Sequence, residues 1–570
     1  MLLLAIAFSL LLFSGCTDEK EVVKTETVVE KDTVYVSIIA VDAINVDMDS
    51  VTQGLPIQLT IQITKGSQVG DVTINWFATG GHFDSESGDT VTWTSPDDPG
   101  VYTVTAHVTD GQYIGIGSRM VGVGMYVPTT TPYYLGADAC GGCHAQRDPD
   151  IWNGWSNTLH AHAWENLQNS GHARESCNHC HTVDFNETPG NSGFDDAPIE
   201  KFVNVQCENC HGAGSAHIAG GNPDPTKISI SYEATLCGNC HTGDRYPQYD
   251  EWQLSLHGNS LENHAVGISS CLGCHEGVGG AIRLEGDLSS FYGSGSVGRP
   301  DTSEFALADI GCATCHDPHS VDNEHQLRTV ADVVLVPTGG VSPVISDGGL
   351  GKLCMQCHHA RESADDNIPE GASHFGTHHS TQADVLAAET GYKDVAPAGF
   401  NWAGPSHLLI ENSCITCHMY SREYISATEP KISGHTFEPK VEACARCHGT
   451  INDFEDIPAS ADFDGDGVVE GLELEVDGLV DLLTEALVAD GLDTTGGVGL
   501  EGALGDTLRS TYTQREAGFN LVMIESDGSH GFHNPDYVVQ LLQQSLQYIT
   551  GQLPPNAVVV KNDNEVVSNW

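Results

Sequence analysis

In 570 residues the chain sets 78 acidic side chains against 23 basic ones, a formal charge of −55 at neutral pH. Phosphate recognition needs clustered basic residues, so nucleic acid is excluded as a partner. So acidic a surface suits solubility, metal cations and basic proteins, or a saline habitat.

Residues 1–15 open with an apolar run, Leu2 to Phe13, that is too short to span a bilayer and reads as the core of a signal peptide. Phe13-Ser14-Gly15-Cys16 resembles a bacterial lipobox, with Phe where Leu is usual. That resemblance implies a lipid anchor on Cys16, the one cysteine that belongs to no other pattern in the chain. Residues 16–33 are charged and polar, a tether with no means of forming a core.

From 34 to 127 cysteine is absent and short stretches alternate with period two, predicting strands at 35–41, 57–64, 72–78, 90–94, 101–108 and 116–123. Gly80-Gly81, Ser95-Pro96 and Asp110-Gly111 supply the turns, and Trp76 and Trp93 are candidates for the core between two sheets. Trp93-Thr-Ser-Pro96 through Gly100-Val-Tyr-Thr-Val-Thr105 to Asp110-Gly111 resembles immunoglobulin-like and polycystic-kidney-disease-type modules. The resemblance implies an all-β sandwich acting as a spacer or adhesive arm.

After a hinge at Thr129-Thr-Thr-Pro132, Cys-x-x-Cys-His recurs nine times. The cysteine pairs are Cys140 and Cys143, Cys177 and Cys180, Cys207 and Cys210, Cys237 and Cys240, Cys271 and Cys274, Cys312 and Cys315, Cys354 and Cys357, Cys414 and Cys417, and Cys444 and Cys447. Each is followed at once by a histidine: His144, His181, His211, His241, His275, His316, His358, His418 and His448. Disulfides or paired zinc sites would not demand that trailing histidine, and a thioredoxin-type motif would occur once per domain. The pattern is that of c-type haem attachment, in which two thiols form thioethers to the vinyl groups and the histidine ligates the iron. Nine motifs in the 309 residues from Cys140 to His448 leave about 34 residues each, so residues 128–450 are expected to be loop-rich, with short helices carrying the motifs.

Histidine is in surplus, so a second histidine on each iron is the default, with Met419 an exception at most. Trp155-Ser-Asn-Thr158-Leu-His160 and Trp252-Gln-Leu-Ser255-Leu-His257 resemble a distal-ligand motif of bacterial multihaem c-type cytochromes. The resemblance, which covers roughly residues 133–550, implies His160, His217, His257, His319, His407, His435 and His533 as further distal ligands. In Thr377-His378-His379-Ser380 it implies one of the two histidines, His379 being taken as the ligand. The ninth is expected among His162, His172, His264, His325 and His374.

Residues 451–570 differ again. Asp462-Phe-Asp464-Gly-Asp466-Gly467-Val468-Val-Glu470-Gly-Leu-Glu473 fits the calcium loop D-x-D-x-D-G-x5-E, with Asp462, Asp464, Asp466, the Val468 carbonyl and Glu473 as ligands. Leu472, Val476, Leu479, Leu482, Leu483 and Leu487 then follow helical spacing, and a last helix is predicted over 536–549.

Nine closely spaced haems imply a wire. The resemblance extends to outer-surface lipoproteins of metal-reducing bacteria. It implies an exported, outer-membrane electron conduit exchanging electrons with envelope cytochromes and with iron or manganese oxides, humics or electrodes. The rival expectations are a multihaem reductase of nitrite, hydroxylamine or a sulfur oxyanion, which needs an iron with an open position, and a protomer of a cytochrome filament.

Overall fold

Alternating apolar residues in the first hundred described positions fold into two four-stranded sheets. The computed structural model describes residues 39–560 apart from 47–49, 52, 68, 98–99, 124–131, 186–192, 196–199, 220–222 and 287–305. The expected leader and tether therefore lie outside the described residues. The chain divides into two compact units, one drawn mainly from residues before 121 and the other mainly from those after it.

The strands are β1 Ile39–Val46, β2 Ser50–Val51, β3 Pro56–Lys65, β4 Thr73–Ala78, β5 His82–Phe83, β6 Thr90–Thr94, β7 Gly100–Thr109 and β8 Ile114–Val123. Their order is β1-β3-β6-β5 in one sheet and β2-β8-β7-β4 in the other. Trp93 on β6 and Trp76 on β4 are both buried, so each sheet sends one tryptophan inward. Their indole nitrogens are satisfied by the carbonyls of Gly80 and Gly88 at 3.0 and 2.9 Å, as buried donors require. Strand β1 runs five residues past its expected end because Asp42 is accommodated at an irregularity between Val41 and Ala43. There its carboxylate accepts the Thr64 hydroxyl at 2.7 Å. The fold of this part is β-sheet-rich, and the rest of the chain is built of helices and loops.

In the second unit each attachment motif lies on or beside a short helix, such as Ala137–Arg147, Cys207–His211, Cys414–His418 and Val441–His448. The largest apolar core forms after the last motif. Helices Leu472–Ala489, Tyr512–Asp527 and Pro535–Thr550 bury Leu479, Leu483, Phe519, Leu541 and Leu542 completely. This core also takes in Ile368, Phe375 and Val385, so the C-terminal segment is fused to the part of the chain around the seventh motif.

Leu479 makes this fusion testable. Leu479→Ala is expected to cost about 3 kcal/mol by leaving a cavity in a fully buried site. Urea denaturation followed by far-ultraviolet circular dichroism should show the lowered midpoint.

Candidate haem and cation sites

The nine motifs converge on one continuous cavity of about 3800 Å³. That is roughly 400 Å³ per motif, a volume of the size cofactor pockets have. Eight of the nine motif histidines line it, all except His275, and every motif contributes at least one cysteine. Cys177 and Cys271 stand back from the cavity while their partners Cys180 and Cys274 face it. Of the expected distal ligands, His160, His217, His257, His319, His407, His435 and His533 line it, and His379 does not.

The histidines are oriented by their second nitrogen. Nδ1 of His181, His211, His316 and His418 bonds the carbonyls of Ala163, Ser229, His325 and Phe437 at 2.6–2.9 Å. His144 uses the Asp148 carboxylate at 3.0 Å. The distal candidates do the same: His217 to the Asp224 carbonyl at 2.8 Å, His407 to that of Phe532 at 2.6 Å, and His533 to the Asp527 carboxylate at 2.6 Å. His435 donates to the Ser433 hydroxyl at 2.9 Å, and that hydroxyl donates to Glu251 at 2.6 Å. A bond at Nδ1 fixes the tautomer and turns the Nε2 lone pair toward the space a metal would take.

The rings also pair at a telling distance. A ligating imidazole nitrogen sits about 2 Å from its transition metal and about 1 Å from its own centroid, so two rings sharing an ion have centroids about 6 Å apart. His241–His160 lie at 6.2 Å, His211–His319 at 6.0 Å and His358–His257 at 6.1 Å. His275–His378 lie at 6.2 Å, His448–His407 at 6.4 Å and His418–His533 at 6.2 Å. Each of these six joins one motif histidine to one histidine from another part of the chain, and His378 also lies 6.0 Å from its chain neighbour His379. His435 feels His316: burial first, then that neighbour, brings its pKa down to about 4. The donor set, its orientation and its spacing all fit haem iron held between two imidazoles.

The family model for cytochrome c554 and c-prime matches residues 139–212, which hold the first three motifs. The stretch holding the first three motifs is thus similar to multihaem cytochromes. A curated relative, multiheme cytochrome MtrA of Shewanella baltica (strain OS185), is 23% identical over 168 residues, 27% of this chain and 48% of that protein. The chain thus spans about half the length of the curated relative it matches. Among solved structures, the outer cell wall cytochrome OcwA is similar at 18% identity with a TM-score of 0.43, over 73% of this chain and 99% of that one. An undecaheme cytochrome from the S-layer of Carboxydothermus ferrireducens is similar at 18% identity with a TM-score of 0.44, over 75% and 71% of the two chains. Among the described residues no helix is long and apolar enough to cross a membrane.

Two expectations about particular residues come out differently. His378 stands opposite His275 where His379 was expected: a left-handed backbone at His378, φ 75°, swings its ring toward the fifth motif. In the acidic loop Asp462 and Asp464 converge with Glu475 and not with Glu473, their carboxylate oxygens lying within 4.8 Å of one another. The helix starting at Leu472 explains this, since residues two apart on a helix point to opposite sides. Glu475 is buried and accepts the Phe463 and Glu470 amides at 2.7 and 3.0 Å, whereas Glu473 faces His530 at 3.9 Å. Asp462 receives the amides of Gly465 and Gly467 at 2.6 and 2.9 Å, and Gly467, with φ 98°, makes the turn. Asp466 accepts the Val468 amide at 2.7 Å, and the Val468 side chain is exposed.

Of the five histidines considered for the ninth place, His162 has its Nε2 on the Ser156 carbonyl at 3.0 Å. His325 supplies its carbonyl to His316. No motif or periodicity points to Asp384, which is wholly buried between the seventh motif and the C-terminal helices. Burial pushes its carboxyl up to about 7, against the opposing hydrogen bonds from Thr390 Oγ1 at 2.5 Å and the Ala360 amide at 2.6 Å. In the folded protein the group keeps a proton that an unfolded carboxyl loses near pH 4. Stability therefore falls as pH rises from about 4 to 7, by about 1 kcal/mol per unit from this group. Asp384→Asn should remove that component, seen as a flatter dependence of the denaturation midpoint on pH than in the parent protein.

Proposed function

We propose that the chain is an electron conduit carrying nine covalent c-type haems, each iron held between two histidines. The observation that supports this most is the set of six ring pairs about 6 Å apart, each joining a motif histidine to a distal one. On this reading His316 takes His435, while His144 and His181 take His217 and a ninth histidine. When bound, haem supplies one-electron chemistry, and the protein supplies axial ligands, spacing and shielding from solvent that set potentials along the line. Bis-histidine ligation leaves no open position on iron, which separates a conduit from a reductase.

The place of work is the cell envelope or its exterior, with Cys16 carrying a lipid anchor and the β-sheet unit serving as a spacer. The partners are other redox proteins of the envelope and extracellular acceptors such as metal oxides, humics or electrodes. The acidic loop takes one calcium ion through Asp462, Asp464 and Glu475, with carboxylate oxygens of the hard type calcium prefers.

Mass spectrometry of the mature protein is expected to show nine haem additions. Electron paramagnetic resonance of its oxidised form should show low-spin iron throughout, with cyanide and nitrite binding poorly. A stoichiometric high-spin haem that turns over nitrite or hydroxylamine would replace the conduit with an enzyme.

Calorimetry should find one calcium site whose affinity falls more than about tenfold in Glu475→Gln and is kept in Glu473→Gln. The reverse pattern would restore the sequence-based ligand set.

A further inference from the structure

The histidines assigned to the irons do not all face the same charge. His533, whose ring lies 6.2 Å from that of His418, gives its Nδ1–H to the Asp527 carboxylate at 2.6 Å. The Asp527 side chain is 1% exposed, and its other oxygen takes the Ser529 hydroxyl. Ser529 also receives the His533 amide at 3.2 Å, so ring, hydroxyl and carboxylate close into one unit. Asp527 is the last residue of the helix Tyr512–Asp527, whose C-terminal end adds partial negative charge of its own. The opposite ring, His418, meets a neutral group at Nδ1, the Phe437 carbonyl.

The carboxylates beside other assigned histidines stand in water or act at one remove. Asp148 lies 3.0 Å from His144, but the two side chains are 47% and 46% exposed. Asp317 lies 3.4 Å from His319, and both are partly exposed. Glu251 reaches the His435 ring through the Ser433 hydroxyl and shares its charge with the Ser433 and His435 amides. Glu165 and Glu324, 3.9 and 3.5 Å from the ninth-place candidates His162 and His325, are exposed. Water and salt screen such charges, whereas a charge held in a dry interior acts far more strongly. Two haems are biased in the opposite sense. Arg283 donates to Cys357 Sγ at 3.3 Å and Arg361 to Cys274 Sγ at 3.9 Å, sulfurs that become thioethers of the seventh and fifth haems.

A negative charge at an axial ligand favours ferric over ferrous iron, because oxidation adds positive charge to the centre. A carboxylate at Nδ1 also draws the ring proton toward itself, which makes the imidazole a stronger donor to the metal. A guanidinium at the edge of the macrocycle favours the ferrous form instead.

We infer that Asp527 makes the eighth haem, held by His418 and His533, the one of lowest potential among the nine. The inference rests on the conduit reading, since it needs a haem at every motif. Asp527 is a positioning residue that acts on the iron through His533, by charge as well as by orientation. The eighth haem is then the last of the nine to accept an electron and the first to release one. It stays ferric until the other eight are filled.

The test is a spectroscopic redox titration of the holoprotein, parent against variant. Asp527→Asn keeps the side chain's shape and an oxygen to accept from His533 Nδ1, and removes the charge. The component reduced last should then be easier to reduce, its ferrous-to-ferric ratio at a given potential rising about tenfold, or about 59 mV for one electron. The other components should move far less, and electron paramagnetic resonance should still show low-spin iron throughout, so that charge and not ligation has changed. Ser529→Ala takes a hydrogen bond from the other carboxylate oxygen, leaves more charge for His533, and should lower the same component. A last component that does not move in Asp527→Asn, or a shift confined to another component, would overturn the assignment and leave the conduit intact. If that variant fails to mature, Ser529→Ala decides alone, and a last component unmoved or raised overturns the assignment. Fewer than nine haem additions or a high-spin iron in the parent would overturn the conduit reading, and the assignment with it.

Discussion

The bond from Nδ1 to a backbone carbonyl or a carboxylate, made by His144, His181, His211, His217, His316, His407, His418 and His533, is the constraint on which the haem region depends. It sets the tautomer, aims Nε2 inward, and ties each ring to a stretch of backbone that need not be near in sequence. His407 is held by the Phe532 carbonyl 125 residues away. A ligand field assembled this way makes the chain's path around the cavity part of the metal chemistry. Loosening a loop such as that carrying Phe532 would turn a ligand as well as expose backbone.

Buried carboxylates do similar work where helices are too short to hold themselves. Helices of four or five residues gain little from their own hydrogen bonds, because nucleation consumes most of what propagation returns. Glu208, on the five-residue helix Cys207–His211, accepts amides from Leu135, Gly136 and Gly214, and Glu276 caps the nine-residue helix Gly277–Glu285 by accepting those of Val278 and Gly279 together with that of Ala308. Each gathers several otherwise orphaned N–H groups around one charge. Such clamps stand in for the aliphatic core that so dense a run of attachment motifs leaves no room to build. The ordinary core appears only after the last motif, where Leu479, Leu483, Phe519 and Leu542 are sealed from solvent.

The helix Tyr512–Asp527 shows why part of the fold was not legible. Gln514, Arg515, Glu516 and Asn520 are buried on it beside Phe519, Leu521 and Met523, so no apolar stripe marks one face. Its polar groups are satisfied from afar: Arg515 by the Ile368 carbonyl at 2.6 Å, and Asn520 by Tyr392 and Ser545 at 3.0 Å. A helix enclosed on all sides gives no periodic signal. The helices Leu472–Ala489 and Pro535–Thr550, each with an apolar row, were expected close to where they lie.

By itself the sequence determined what bonds locally: the nine Cys-x-x-Cys-His motifs, the strands with their two tryptophans, and an acidic loop before an amphipathic helix. These are readable because each depends on residues within one or two turns of one another. Tertiary structure decided which histidine meets which. His378 faces His275 through a left-handed turn, and His319, three residues after the sixth motif, faces His211 of the third. It also chose Glu475 over Glu473, because the helix register, and not the loop count, sets which carboxylate turns toward Asp462. Pairings between distant segments are fixed only when backbone carbonyls, thiols and rings share one cavity, and spacing along the chain carries no record of that.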